Sequence, residues 1–466
     1  MSENLKLNTR EDERRKLILN GNVFVVLIKL GMPIALFQLL NQLFRLFDTF
    51  MAAGISSEAA SMVAYFSQMN LVLASVGSGL AIGTALKIGL AYGSGNFEQV
   101  RKTISTMVAL VALIAMVLAV IIIPAATPFL RFINAPSDFI TYGRYFFIIE
   151  FLTTLILFFN MIYISIEKAQ GNSRRILSLN LISMIIKLSL TAAGVYIFNA
   201  GITFLAISTM ISQTLIMIIG LNNLLGKKSE VFRFSKVHIA FNKETLRPII
   251  YASLPIIFSH MIFNLGKTII NTMLISYGAL VVGASGIGSL LAGAATMLQF
   301  GLQDAAVAVM TQNRGAKKFK RIYQTYKGLI TINTISTLVL FLPLWILGSH
   351  ITRLFALGDP EFHSILYPIY RFMILNMWSF IILTSSNALF LAFGFTKILS
   401  FISLSTLFLF RIPLLWLFEN FTNVGSEVAG LVMMYSNFLT IIPTLIFLYI
   451  ALKKIKKEEL IASSAE

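Results

Sequence analysis

Two polar stripes run along otherwise apolar stretches of this 466-residue chain. Gln38, Gln42, Arg45 and Thr49 follow the spacing i, i+4, i+7, i+11, with Asn41 and Asp48 alongside, and His260, Asn264, Lys267 and Asn271 repeat that spacing. Such a period puts each set on one face of an α-helix. Three more charges, Lys187, Asp304 and Arg411, stand inside apolar runs. A charge at the centre of a membrane helix costs about 2.5–3.5 kcal/mol on insertion scales, so it faces a cavity or a partner. Side chains of these types can bind a polar solute or carry a proton. The competing role is hydrogen bonding that glues helices together, for which a cation is the least useful member. Asp48 could equally form a static salt bridge with Arg45, and Asp304 could pair with Lys267. Glu150 lies near the start of a span and reads as interfacial.

Other chemistries are excluded or unsupported. With no cysteine there is no disulfide, thiolate metal site or cysteine nucleophile. The remaining histidines, His238, His350 and His363, lie in connections or at span ends, and no HExxH occurs. No metal and no bound cofactor are expected. Neither a Walker sequence nor a nucleophile–base pair is visible, so neither an enzyme nor an ATP-driven pump is expected.

The elements that position these residues are membrane helices. Hydrophobic residues make up 57% of the chain and charged residues 12%, against roughly 45–50% and about 25% in soluble domains. Apolar stretches of the roughly 20 residues that cross a bilayer lie near 23–52, 60–90, 104–130, 142–165, 176–198, 202–225, 248–276, 281–311, 327–349, 366–393, 398–418 and 426–452. They lack strict alternation, which favours helices over a barrel. The net charge of +17 sits in short connections and points to the membrane surface, not to nucleic acid. Of 37 Lys and Arg, only Arg131, Arg144 and Arg353 fall in connections on the side opposite the amino terminus. The positive-inside rule therefore expects both termini to be cytoplasmic. The first apolar run is too long for a signal peptide and lacks a small-residue cleavage site, so no leader is expected. The expected organisation is a tail (1–22), an amino-terminal lobe (23–225), a solvated basic linker (226–247), a carboxyl-terminal lobe (248–455) and a second tail (456–466).

A shift of 222 residues superposes the two lobes. Pro33 falls on Pro255, Gly79 on Gly301 and Gly93 on Gly315, and the stripe residues pair as Gln38 with His260, Gln42 with Asn264, Arg45 with Lys267 and Thr49 with Asn271. Six spans per lobe give both lobes one orientation, so they are parallel repeats, an arrangement of secondary transporters.

The order of motifs completes the picture. A proline-led first span carries Phe47-Asp48-Thr49, the second ends in "AYGSGNFEQVRK", the eighth in "TQNRGAKKFKR", and "IEKAQGNSRR" and "FLAFGFTK" join the fourth to fifth and tenth to eleventh spans. Over residues 20–455 this resembles the multidrug and toxic compound extrusion (MATE) transporters, whose superfamily also holds lipid-linked oligosaccharide flippases. The resemblance implies an all-α integral membrane protein with twelve transmembrane helices in two pseudo-symmetric six-helix lobes around a central cleft. It implies export of small organic solutes by alternating access from the cytoplasmic membrane, driven by a proton gradient, with sodium as the lesser alternative. A flippase for an anionic lipid-linked substrate is the alternative function. The expected partners are a small-molecule substrate and the lipid bilayer, and the expected state is a monomer. Asp48 matches the family's coupling carboxylate. Where many relatives carry Asn, Asn and Asp in the fifth span, this chain aligns Met184, Lys187 and Thr191, an exchange of a carboxylate for an ammonium. Lys187 and Asp48 are thus the expected coupling pair. Arg45, Lys187, Lys267 and Arg411 outnumber Asp48 and Asp304, and the focused field of a low-dielectric cleft would then favour anionic or zwitterionic solutes over organic cations.

Overall fold

The computed structural model describes residues 5–53, 57–132, 136–141, 143–198, 201–356 and 358–464, without the side chains of 44–53, 57–61, 64, 137–138 and 196. Every regular element among them is helical. In chain order they are α1 (Thr9–Asn20), α2 (Val23–Ala53), α3 (Ser57–Gly93), α4 (Phe97–Ile122), α5 (Ala126–Phe132), α6 (Ser137–Thr141), α7 (Arg144–Ala169), α8 (Ser173–Ala192) and α9 (Ile202–Leu225). There follow α10 (Lys243–Leu274), α11 (Ala279–Gly315), α12 (Phe319–Ile346), α13 (Gly348–Phe355), α14 (Pro360–Ile374), α15 (Asn376–Ala392), α16 (Thr396–Ser405), α17 (Ile412–Phe421) and α18 (Val428–Ser464). Among the described residues, twelve helical stretches are long and apolar enough to cross a membrane, from Val23–Leu43 to Val428–Ser464. The tenth runs through α14 and α15, and the eleventh through α16 and α17.

Local chemistry sets the helix ends. Asn8 and Glu11 open α1 with a reciprocal capping box, in which each side chain accepts from the other's backbone N–H. Asn96 Oδ1 accepts from the Gln99 N–H at the start of α4. Asp359 does the same for Glu361 and Phe362, ahead of Pro360 in the first turn of α14. The eleventh span widens into a π-helical segment, Thr406–Arg411, where the Ile412 N–H reaches the Leu407 carbonyl. Pro413 explains the place. It lacks an N–H and crowds the carbonyl four residues back, and one wider turn relieves both.

The repeat is visible in the turns. Gly95, Gly171 and Gly394 take left-handed φ values of 80°, 75° and 70°, and Lys317 occupies the equivalent of Gly95 with φ 56°. At each turn the next residue's N–H spans back five positions: Asn96 to Ala91, Asn172 to Glu167, Lys318 to Asn313 and Phe395 to Phe390. These are Schellman closures, in which the left-handed residue lets the chain reverse while the last carbonyls stay satisfied.

Two compact units form, and they do not follow the repeat boundaries. One comprises Met1–Lys16 and Leu40–Ile257; the other comprises Leu17–Leu39 and Phe258–Glu466. The division cuts through α2 and α10, because the first half of each packs with helices from the other half of the sequence. In the second unit a Cβ on Gly301 of α11 would fall on the backbone of Ala35 in α2, and one on Gly31 would meet Leu302. In the first unit a Cβ on Gly79 of α3 would strike Ile257 of α10, and one on Gly83 would strike Ser253. Gly79–Ile257 and Gly301–Ala35 are the same contact under the 222-residue shift.

The connection 226–247 is not the solvated linker expected from its charge. Val231 and Phe232 are buried, at 0% and 4% exposure, and Phe232 meets the Tyr92 ring edge-on at 5.0 Å. The backbone N–H groups of Ser235 and Ala240 donate to Ser105 and Thr106 of α4. Two buried apolar residues among six cations fold the segment back onto the first unit. α1 is held at both ends as well. Arg15 donates to the Tyr92 and Gly93 carbonyls at the end of α3. In the second unit Lys318 and Arg321 donate to the carbonyls of Leu19, Ile18 and Gly21.

A methyl group is therefore expected to matter at one glycine and not at another. Gly301→Ala should cost about 1–3 kcal/mol by overpacking against a backbone. Gly286→Ala, which meets nothing within 4 Å, should leave the thermal midpoint in detergent unchanged.

Candidate functional site

In the second unit the polar residues gather where α10, the π segment and α18 meet. Gly266 of α10 carries no Cβ because Leu407 of the π segment occupies that space. This close approach places the Phe263 ring between two cations, with Arg411 Cζ at 5.8 Å and Lys267 Nζ at 5.5 Å from its centroid. Both distances suit cation–π attraction. Lys267 is exposed and lies 3.5 Å from Asn264 Oδ1. Arg411 is only 5% exposed. Its Nε donates to Ser436 Oγ at 3.2 Å and its Nη2 to Asn437 Oδ1 at 3.3 Å, while Asn437 Nδ2 donates to Asn376 Oδ1 at 3.0 Å. Among the described residues Arg411 has no carboxylate partner. A buried guanidinium held by neutral oxygens keeps a whole positive charge, and its five-donor fork suits carboxylate or phosphate.

The other residues of this unit singled out from the sequence lie on α2, α10 and α11. Gln38 of α2 donates to Asp304 of α11 at 3.0 Å, so the stripe residue reaches the only acidic residue foreseen in this half. His260 is half-buried, and Asn271 is exposed near the far end of α10. Asn376, Ser436, Asn437 and Phe263 were not singled out from the sequence. The available signal was a lone Asn in an otherwise apolar span, which reads as interhelical bonding.

In the first unit Lys187 is buried on α8, at 8% exposure. It shares a face with Ser183, which donates to the Ser212 carbonyl of α9 at 2.9 Å, and with Thr191, whose buried hydroxyl has no hydrogen-bond partner among the described residues. The side chains of Arg45, Asp48 and Thr49 lie outside those described, and Gln42 is half-buried. Glu150 is better placed than its interfacial reading allowed. It stands two turns inside α7 and accepts from Asn70 Nδ2 of α3 at 2.8 Å. Among the described residues no three His, Asp or Glu side chains gather as a metal site.

A family model described as MatE matches residues 33–193 and again 255–417, the two matches starting at the paired Pro33 and Pro255. The chain belongs to the MATE family. MATE membership makes it a multi-pass membrane transporter rather than an enzyme. It is similar to the probable multidrug resistance protein YoeA of Bacillus subtilis, at 24% identity over 341 residues that cover 71% of this chain and 73% of that protein. Among solved structures it resembles an outward-facing multidrug resistance MATE transporter of the MOP superfamily, with TM-score 0.88, 16% identity, and coverage of 94% of this chain and 98% of that one. A MOP superfamily transporter from Pyrococcus furiosus, described by the reverse polarity of its binding pocket, matches with TM-score 0.86, 15% identity, and coverage of 97% and 99%. Identities this low establish the MATE fold, while the family match establishes the transporter class.

The network predicts an order of stabilities. Asn437→Ala strands a guanidinium N–H and the Asn376 carbonyl oxygen, and should cost about 1–3 kcal/mol. Arg411→Met replaces a buried charge with an apolar side chain of similar size, and should hold stability within about 1 kcal/mol of wild type. Thermal unfolding of the two purified variants checks that ranking.

Proposed function

We propose that this MATE family chain is a secondary exporter of small organic anions or zwitterions, working by alternating access with both termini in the cytoplasm. The observation that carries the substrate class is Arg411. Among the described residues it is buried inside the membrane region of the second unit with no carboxylate partner, and Lys267 lies near the same Phe263 ring. A solute with a carboxylate or phosphate would give the Arg411 guanidinium a counter-charge, whereas an organic cation would be repelled. The reverse polarity described for the Pyrococcus furiosus transporter supports reading charge sign as variable on this fold. The termini follow from the basic connections on the amino-terminal side.

The driving ion in this proposal is the proton. The family pattern's fifth-span carboxylate is replaced by Thr191, an ammonium stands one turn earlier at Lys187, and a fixed cation there would displace sodium. Asp48 and Lys187 would form a coupled pair in at least one transport state, with the proton passing through it. The alternative of a lipid-linked anion flipped on the same scaffold shares the cationic site and differs in substrate size.

Solid-supported-membrane currents on reconstituted protein test the substrate class. Arg411→Gln should raise the apparent KM for anionic solutes about tenfold or more, as expected for one charge-assisted contact. Robust transport of ethidium-like cations, unaffected by Lys267→Gln, would overturn the assignment. Coupling calls for a double-mutant cycle with Asp48→Asn, Lys187→Met and the combination. Each single change should strand a buried charge at about 3–5 kcal/mol, and the double change should cost less than either. Strict additivity in stability and transport, or sodium-dependent transport abolished by Asp48→Asn alone, would remove the pair.

A further inference from the structure

At the basic end of the second unit, the turn between α11 and α12 borders a cavity of about 430 Å³. Lys317, Lys318, Lys320 and Arg321 line it, with Gln324 beside them and Glu459 opposite on the last turns of α18. Among the described residues that line it, four cations face one carboxylate. Other nearby acidic charge is committed elsewhere: Glu458 forms a two-point ion pair with Arg314, with bonds of 2.9 and 3.1 Å. The Tyr323 hydroxyl lies 3.4 Å from Glu459. These two links hold the end of α18 against the start of α12 and fix the cavity wall.

Comparison of the two repeats shows that this turn departs from its counterpart in the direction of positive charge. Gly95 in the first half becomes Lys317, a side chain kept at φ 56°, where an L-residue is strained. Asn96, whose side chain caps α4, becomes Lys318, which gives α12 no side-chain cap. Both exchanges weaken the local fold, and both add a cation to one cavity. Local rules broken together at one place mark a functional site.

Its depth fits the membrane surface. α18 is 37 residues long, roughly 55 Å at 1.5 Å per residue, against a hydrocarbon core of about 30 Å. It therefore projects past the core, carrying Lys453, Lys454, Lys456 and Lys457. Tyr449 stands at the start of that projection, as aromatic residues do at membrane interfaces.

We infer that this cavity is a binding site for a phosphate-bearing anion, supplied in the membrane by the headgroup of an anionic phospholipid. Lys317 and Lys320 would meet the phosphate oxygens, while Lys318 and Arg321 would hold the end of α1 and add to the field. Basic pockets beside membrane helices and polybasic segments next to a span attract anionic lipid through the same field. The inference is independent of the transported substrate.

The test uses the full chain in nanodiscs. Replacing part of a phosphatidylcholine bilayer with phosphatidylglycerol should raise the thermal midpoint of wild type by several degrees, because a ligand that binds only the native state stabilises it. Lys317→Gln with Lys320→Gln should lose most of that gain, and Lys320→Gln alone should lose part of it, so the test survives a double variant that fails to fold. The exposed pair Lys456→Gln and Lys457→Gln removes equal charge outside the cavity and should keep the gain. In native mass spectra, wild type should retain about fivefold more phosphatidylglycerol than the cavity variant. The inference is overturned if the gain persists in the cavity variants, if the outer pair loses as much, or if inorganic phosphate in a phosphatidylcholine bilayer reproduces the effect.

Discussion

Backbone-to-backbone approach at Gly301 and Gly79 is the constraint on which the rest of this structure depends. At Gly301 the neighbour is the main chain of Ala35, which cannot swing aside as a flexible side chain could. The approach fixes the height and rotation of α2 on α11, and Gln38 reaches Asp304 about one turn later because of it. The equivalent approach at Gly79 fixes the first half of α10 on α3. The second half of α10 then carries Phe263 and Lys267 toward the π segment, where Gly266 allows a further close contact with Leu407. Small residues set the positions of the large and charged ones.

The charge arrangement of the second unit follows from burial. Ser436, Asn437 and Asn376 solvate the Arg411 guanidinium with neutral dipoles, which lowers the cost of burying it without cancelling its charge. A carboxylate in their place would have made a closed ion pair with little left to offer a solute. The π segment serves the same end. Pro413 forces a wide turn, and Arg411 ends that turn, directed at α18 and over Phe263.

Much of the fold could be read from the chain because membrane insertion leaves few options. Twelve apolar runs had to be helices, and the shift pairing Pro33 with Pro255 had to be a repeat. The compact units were harder, since periodicity along one helix says nothing about which neighbour each half of it meets. That required knowing that Gly301 abuts Ala35. The connection 226–247 misled for a related reason. Its cations describe its surface, while Val231 and Phe232 decide where it sits. At the site, Lys267 and Arg411 were legible as charges out of place, but their meeting at Phe263 was not. Two elements distant in sequence, α10 and the π segment, create it.

The division of α2 between two units bears on how the chain is made. Residues 17–39 emerge early from the ribosome, yet the surface they complete includes α11, and Gln38 waits for a partner 266 positions later. During synthesis this early segment has no finished seat, and the second unit cannot close its core from its own later residues alone. Each half of the gene thus withholds a piece that the other needs. An ancestral pair of separate six-helix chains would have been bound together by the same exchange before fusion made it permanent.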